Sequence, residues 1–370
     1  MKLILKFIFL GPFALLYGII VVTRNKFYDW RIFSSTEFQF PVISVGNITV
    51  GGTGKTPHTE MLLSILKNQM TTAVISRGYK RKTRGFRYVS ATDTATTVGD
   101  EPLQMKQKFP DITVAVDVNR VEGIKRLIRD DDELNVVLLD DAFQYRKIRP
   151  ALSIVLMDYT RPIYDDYLLP LGRLRDRRNQ LHRADIVFVT KCPSSLTPIQ
   201  QRILSKEMHL YPYQQMFLTT FSYDEPQAVF KKDCDKELNF GLFEHKRDAK
   251  PILLTGIANP APLVDYLTKK NQSPITHLVF PDHHTFTPKD VEKINTEAQK
   301  NPDSLIYTTE KDAVRLRETQ GLSDDVRVRL FYIPIVVTFL SESEGERFRK
   351  FILNYVKNNK RNNILHSIKK

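Results

Sequence analysis

The sequence predicts an α/β fold: a mostly parallel sheet covered by helices, a second and smaller α/β domain, and a membrane-associated helix at the N-terminus. Three observations predict it. Strand-like runs alternate with helical ones along most of the chain, and parallel strands require such crossovers. A glycine-rich segment, GNITVGGTGKT from Gly46 to Thr56, follows the first of those strands. Finally, every residue from Phe7 to Val22 is apolar, glycine, proline or tyrosine.

That apolar run has Lys2 and Lys6 before it and Arg24 and Lys26 after it. It is shorter than the roughly 20 residues of a spanning helix, and Pro12 can bend it. The expectation is a helix inserted in one leaflet, with its cationic flanks on anionic headgroups. The plain alternative is a buried core helix. No small-x-small cleavage site follows, so a secretory signal is not the reading.

The run Pro41 to Val45 has the composition of a buried strand, and the glycine-rich segment comes directly after it. That order suits a nucleotide triphosphate. Glycines let backbone amides approach phosphates at a helix N-terminus, a lysine reaches the outer phosphates, and a hydroxyl can ligate Mg²⁺. Lys55 and Thr56 take the last two roles, and Gly51, Gly52, Thr53 and Gly54 form the loop. The strict pattern has glycine where this chain has Thr49, so a ligand-free turn is the alternative. A helix with Met61, Leu62, Ile65 and Leu66 at helical spacing should follow.

Further strands are expected at Ala73 to Ser76, Thr113 to Val116, Val136 to Leu139, Ile154 to Met157 and Ile186 to Thr190. A polar stretch then interrupts the alternation, which resumes at Ile252 to Thr255, His277 to Phe280, Leu305 to Thr309 and Val328 to Ile333. The predicted organisation is an anchoring helix over 1–26, a nucleotide-binding domain over 27–223 and a linker over 224–250. A smaller domain over 251–350 and a basic tail over 351–370 complete it. Ligands should gather at the carboxyl ends of the strands.

Candidate chemistry sits at those ends. Asn135 to Tyr145 (NVVLLDDAFQY) closes an apolar strand with Asp140 and Asp141, the carboxylates that would hold Mg²⁺ opposite the loop hydroxyl. An ordinary acidic turn looks the same. VGDEP, Val98 to Pro102, places Asp100 and Glu101 before a helix, where they can act electrostatically or supply the base that phosphoryl transfer to a hydroxyl needs. PDHHTF, Pro281 to Phe286, offers a metal ligand, a proton-transfer group or a helix cap. Consecutive residues in a strand point to opposite faces, so His283 and His284 are not expected to serve one metal together, and a single histidine is functional. SRGY (Ser76 to Tyr79) and TTEKDAVR (Thr308 to Arg315) also put charge just past strands.

Composition narrows the partners. Over 370 residues, 55 Lys and Arg stand against 42 Asp and Glu, a formal charge of +13. Basic patches such as Arg173, Arg175, Arg177 and Arg178 suit nucleic acid, anionic lipid or a phosphorylated substrate equally by charge, and a solvated surface is the plain alternative. A nucleic-acid partner would need aromatic-basic interleaving or a known module, and neither is evident. Cys192 and Cys234 form neither metal-ligand spacing nor a disulfide framework, which fits a reducing compartment.

Taken in order, GNITVGGTGKT, SRGY, VGDEP, LLDDAFQY, LLPLGRLRD, TGIANP, FPDHHTF and TTEKDAV resemble the tetraacyldisaccharide 4′-kinase family, the lipid A 4′-kinases of Gram-negative bacteria. The resemblance runs from the apolar N-terminus to about Val336. It implies transfer of the γ-phosphate of ATP, with Mg²⁺, to the 4′-hydroxyl of a tetraacylated disaccharide 1-phosphate at the cytoplasmic face of the inner membrane. Asp100 matches the family's proposed base, His283 the histidine that supports it, and Asp140 and Asp141 the magnesium motif. Where the family commonly has Gln-His-Arg, this chain has Gln144, Tyr145 and Arg146. The implied partners are the acylated substrate and an anionic membrane surface, with no obligate protein partner. The rival reading is a membrane-associated P-loop switch that phosphorylates nothing. Its guanine-reading motif would start at Thr190-Lys191, but Pro193 occupies the aspartate position.

Overall fold

The computed structural model describes residues 2–230, 250–271 and 274–367. Most of the expected linker, Cys234, and Lys369 and Lys370 of the basic tail lie outside these residues, as do the side chains of residues 2–6, Lys2 and Lys6 among them, and those from residue 360 on.

Helix α1 (Lys2–Asp29) comes first. The larger lobe contains β1 (Val42–Asn47), α2 (Lys55–Leu66), β2 (Thr72–Ser76), α3 (Asp100–Lys108), β3 (Thr113–Val116), α4 (Arg120–Asp130) and β4 (Val136–Asp140). It continues with β5 (Leu152–Asp158), β6 (Ile186–Thr190) and β7 (Gln215–Tyr223). The smaller lobe holds β8 (Ile252–Thr255), β9 (Thr276–Val279), α5 (Pro288–Lys300), β10 (Ile306–Thr309), α6 (Glu310–Glu318) and β11 (Leu330–Ile333). The chain then returns to the larger lobe as β12 (Ile335–Phe339) and α7 (Glu342–Ser367).

The large sheet runs β12-β7-β6-β5-β1-β4-β2-β3, with the short strand Arg87–Tyr88 at its far edge. Every pair is parallel except those made by the two edge strands. Strands β1 to β6 are apolar along nearly their whole length because helices or loops cover both faces. On one face Leu62, Leu63 and Leu66 of α2 join Ile43, Val45 and Leu138 in the core. The small sheet runs Gln227–Ala228, β11, β10, β8, β9.

The domain boundaries differ from the expected ones. The small lobe's sheet already begins with Gln227–Ala228, inside the expected linker. The range 251–350 breaks at Ile335, where β12 pairs antiparallel with β7 of the large sheet. The expected tail is the end of α7, whose Phe348, Ile352 and Val356 are fully buried in the large lobe's core. Their i, i+4, i+8 spacing makes one apolar stripe.

Helix α1 also exceeds its expected range. Phe7–Asp29, 23 residues, is long and apolar enough to cross a membrane. Phe9, Phe13, Leu15, Leu16, Ile19 and Ile20 are exposed. Polar groups of its second half dock it on the large lobe: the Tyr17 hydroxyl donates to Arg175 O at 2.9 Å, Asn25 Nδ2 to Asp176 Oδ1 at 2.8 Å, and Arg146 Nη1 to Asn25 O at 2.9 Å.

Candidate active site

β1 ends where the glycine-rich segment starts, and Val45 pairs with Asp140 of β4 in register. The phosphate loop and the acidic pair therefore share one sheet edge. Gly54 precedes α2 with φ 89°, and a Cβ there would fall 2.4 Å from Cζ of Phe221. Only glycine meets both demands. Gly51 has φ 110°, and neither it nor Gly52 has a neighbouring atom where a Cβ would stand, so this stretch of backbone is open to an anion. Thr53 differs from its neighbours. It is buried, its hydroxyl accepts from Asn47 Nδ2 at 2.8 Å, its amide donates to Gly51 O at 3.0 Å, and its carbonyl accepts from the Thr190 hydroxyl at 2.9 Å. Thr53 holds the loop's shape, so its polar groups are already committed. His58 is a further support: its ring bonds Gly54 O and the Thr219 hydroxyl, and burial lowers its pKa to about 4.

Lys55 and Thr56 open α2, and Lys55 Nζ lies 3.8 Å from Asp141 Oδ1. Arg175 forks onto the same carboxylate at 3.0 and 3.3 Å and also bonds Asn47 Oδ1. Burial would raise the Asp141 pKa, but Lys55 and Arg175 together bring it below the usual value. Asp140 goes the other way. It is buried at the end of β4, Thr59 donates to its Oδ1 at 3.3 Å, and its Oδ2 is buried without a hydrogen-bond partner. Burial first, then the charges of Glu101 and Asp141, push its pKa up. An orphaned carboxylate oxygen among acids, with a threonine hydroxyl on the facing helix, is a hard-oxygen donor set that fits Mg²⁺. No cluster of three or more acidic, His or Cys ligands occurs among the described residues. The metal would thus depend on water and phosphate oxygens for its remaining ligands.

Asp100 starts α3 after Gly99, and it is only 7% exposed. Across the lobe junction His283 Nδ1 donates to Asp100 Oδ2 at 2.8 Å. Lys311 Nζ lies 3.1 Å from His283 Nε2. A lysine only donates, so the ring's proton sits on Nδ1 and points at Asp100. Burial opposes the Asp100 charge, but His283, Lys311 and Arg315 outweigh it and hold the carboxyl well below the usual range. The two histidines of PDHH separate for a reason other than strand alternation. β9 ends at Val279, and His283 sits in a turn with φ 59°. His284 instead bonds Asp290 at 2.9 Å, beside the Thr287 cap of α5.

Motif reading had missed Arg120. It follows β3 and is 6% exposed, donates from Nη1 to Asp141 O at 3.2 Å, and lies 4.1 Å over the Tyr145 ring. Its place at a parallel strand's carboxyl end was the available signal. Tyr145, the departure from Gln-His-Arg, thus gives Arg120 an aromatic platform. Arg175 emerges from the basic stretch 173–178 as the site arginine, whereas Arg173, Arg177 and Arg178 are exposed.

A glycine loop, a lysine and an acidic pair on one parallel sheet edge, faced by a second lobe with its own histidine, define a P-loop phosphotransferase. The comparisons narrow the class. The family model for tetraacyldisaccharide-1-P 4′-kinase matches residues 6–357, and the chain belongs to that family. It is 45% identical over 357 residues to the tetraacyldisaccharide 4′-kinase of Phocaeicola vulgatus, covering 95% of this chain and 96% of that protein. The corresponding enzyme of Flavobacterium johnsoniae is 42% identical over 359 residues, 97% of this chain and 99% of its own. Among solved structures, LpxK from Aquifex aeolicus in complex with ATP matches with a TM-score of 0.69 at 26% identity, covering 93% of this chain and 98% of that one.

Proposed function

We propose that this chain is a lipid kinase that moves the γ-phosphate of ATP to the 4′-hydroxyl of a tetraacyldisaccharide 1-phosphate, yielding the bis-phosphorylated lipid A precursor lipid IVA at the cytoplasmic face of the inner membrane. Family membership over residues 6–357 supports the chemistry. The one observation that carries the mechanism is the Asp100–His283 hydrogen bond across the lobe junction.

In this reading the amides of Gly51, Gly52 and Gly54 cradle the β- and γ-phosphates, and Lys55 neutralises charge that develops on the transferring group. Asp140, Asp141 and Thr56 would hold Mg²⁺, which when bound screens the phosphate oxygens. Asp100 keeps acceptor capacity on Oδ1, where the Glu101 amide donates at 3.0 Å. It orients the acceptor hydroxyl and takes its proton late, the requirement of a loose transition state. His283 holds Asp100 from the other lobe, so the pair is complete only when the lobes meet. Closure would also exclude water and limit ATP hydrolysis. The exposed apolar face of α1 gives the enzyme access to an acceptor that stays in the bilayer.

The test is transfer of labelled γ-phosphate from ATP, with Mg²⁺ and detergent micelles, to tetraacyldisaccharide 1-phosphate. A labelled lipid formed by the wild type and not by Lys55→Ala is the expected result. ATP hydrolysis with no labelled lipid would instead favour the nucleotide switch.

A further inference from the structure

We propose that Arg315 is a positioning residue for transfer: seated on Asp312, its guanidinium holds the Asp100 carboxylate in place across the lobe junction. The inference rests on the reading in which Asp100 orients the acceptor hydroxyl. Arg315 lies on α6 and is 9% exposed. Its Nη2 donates to Asp100 Oδ2 at 2.5 Å, the same oxygen that His283 Nδ1 approaches at 2.8 Å. Its Nη1 donates to Asp312 Oδ1 at 3.0 Å. The planar fork thus spans two buried carboxylates, one from each lobe.

Asp312 makes a firm seat. It is fully buried, and its Oδ2 accepts from Gly256 N at 2.8 Å and from the Thr309 hydroxyl at 2.7 Å. Gly256 in turn accepts from His283 N on its carbonyl at 3.1 Å. A Cβ at Gly256 would lie 2.9 Å from Asp312 Oδ1, so glycine is what lets these groups converge. One small-lobe scaffold, built from the TGIANP, PDHH and TTEKDAVR segments, therefore fixes both groups on Asp100 Oδ2. That leaves Oδ1 for the acceptor. Lys311, 3.9 Å from Asp100 Oδ2, neutralises charge there but is a point cation that cannot fork between the two carboxylates.

The experiment is a double-mutant cycle on the full chain in the labelled-phosphate assay. Arg315→Ala should lower kcat by about 30- to 300-fold and leave KM for ATP within about threefold, because the interaction matters in the transition state. Added guanidinium ion should restore at least about fivefold, and Arg315→Lys should retain more activity than Arg315→Ala. In the Asp100→Asn background Arg315→Ala should cost less than about threefold, since its partner charge has gone. The same full cost in both backgrounds would overturn the inference. So would a lowered melting temperature with no rescue, the mark of a merely structural role. If Arg315→Ala does not fold, Arg315→Lys in the two backgrounds completes the same cycle. Near-normal transfer by Asp100→Asn alone would instead overturn the underlying base reading, and this inference with it.

Discussion

Asp140 and Asp100 are both nearly buried carboxylates in the larger lobe, yet their surroundings drive them in opposite directions. Asp140 ends a central strand, with Glu101 and Asp141 as charged neighbours and one oxygen unsatisfied, and its pKa rises. Asp100 starts a helix at the lobe junction, where His283, Lys311 and Arg315 converge, and its pKa falls. The difference teaches that burial alone does not set a carboxylate's state. The cations for Asp100 come from the small lobe and outweigh its burial, whereas for Asp140 burial and the neighbouring acids outweigh the single cation nearby, Lys55.

The sharpest way to break this comparison is to remove the one cation the loop contributes to the acidic pair. Lys55→Ala should lower transfer by about 10³-fold, because a donor aimed at developing charge is lost, as labelled-lipid formation will measure. Asp100→Asn or His283→Ala should cost about 10²-fold, within the range of a positioned acid or base. If His283→Ala is as active as wild type, the junction pair is structural only.

The Asp140 side is tested by stability. Because its folded pKa is raised, the ionised form costs the folded state free energy at pH above the unfolded value of about 3.9, and that cost grows as pH rises toward the folded value. In EDTA, Asp140→Asn should therefore raise the melting temperature, by about a few degrees, more at pH 8 than at pH 5. Mg²⁺ should reverse the ranking by stabilising only the wild type. Asp100 has the reverse sign: its contribution is present above the unfolded value and disappears as pH falls through its depressed folded value. The smallest effect belongs to Tyr145. Its ring, not its hydroxyl, supports Arg120, so Tyr145→Phe should change kcat/KM less than about twofold, whereas Tyr145→Ala should change it more.

Much of this was legible in the sequence because it is local. The β1–loop–α2 unit, the acidic end of β4 and the apolar N-terminal run each lie within a few turns of chain, where periodicity, glycine and apolar content act directly. β7 went unread because Thr219, Thr220 and Ser222 break its apolar pattern, and pairing with β6 on one side and β12 on the other overrides that weak propensity. The return of β12 to pair with β7 was invisible for another reason: register partners Thr219 and Phe339 have a whole lobe between them.

The sequence by itself therefore determined the phosphate loop, the strand-borne acids, the apolar N-terminal helix and, through the order of its motifs, the family. Only the tertiary structure decided which acid meets which cation. Arg315 reaches Asp100 across 215 positions of chain, and such a contact depends on how two lobes dock. Local spacing carries no information about that distance.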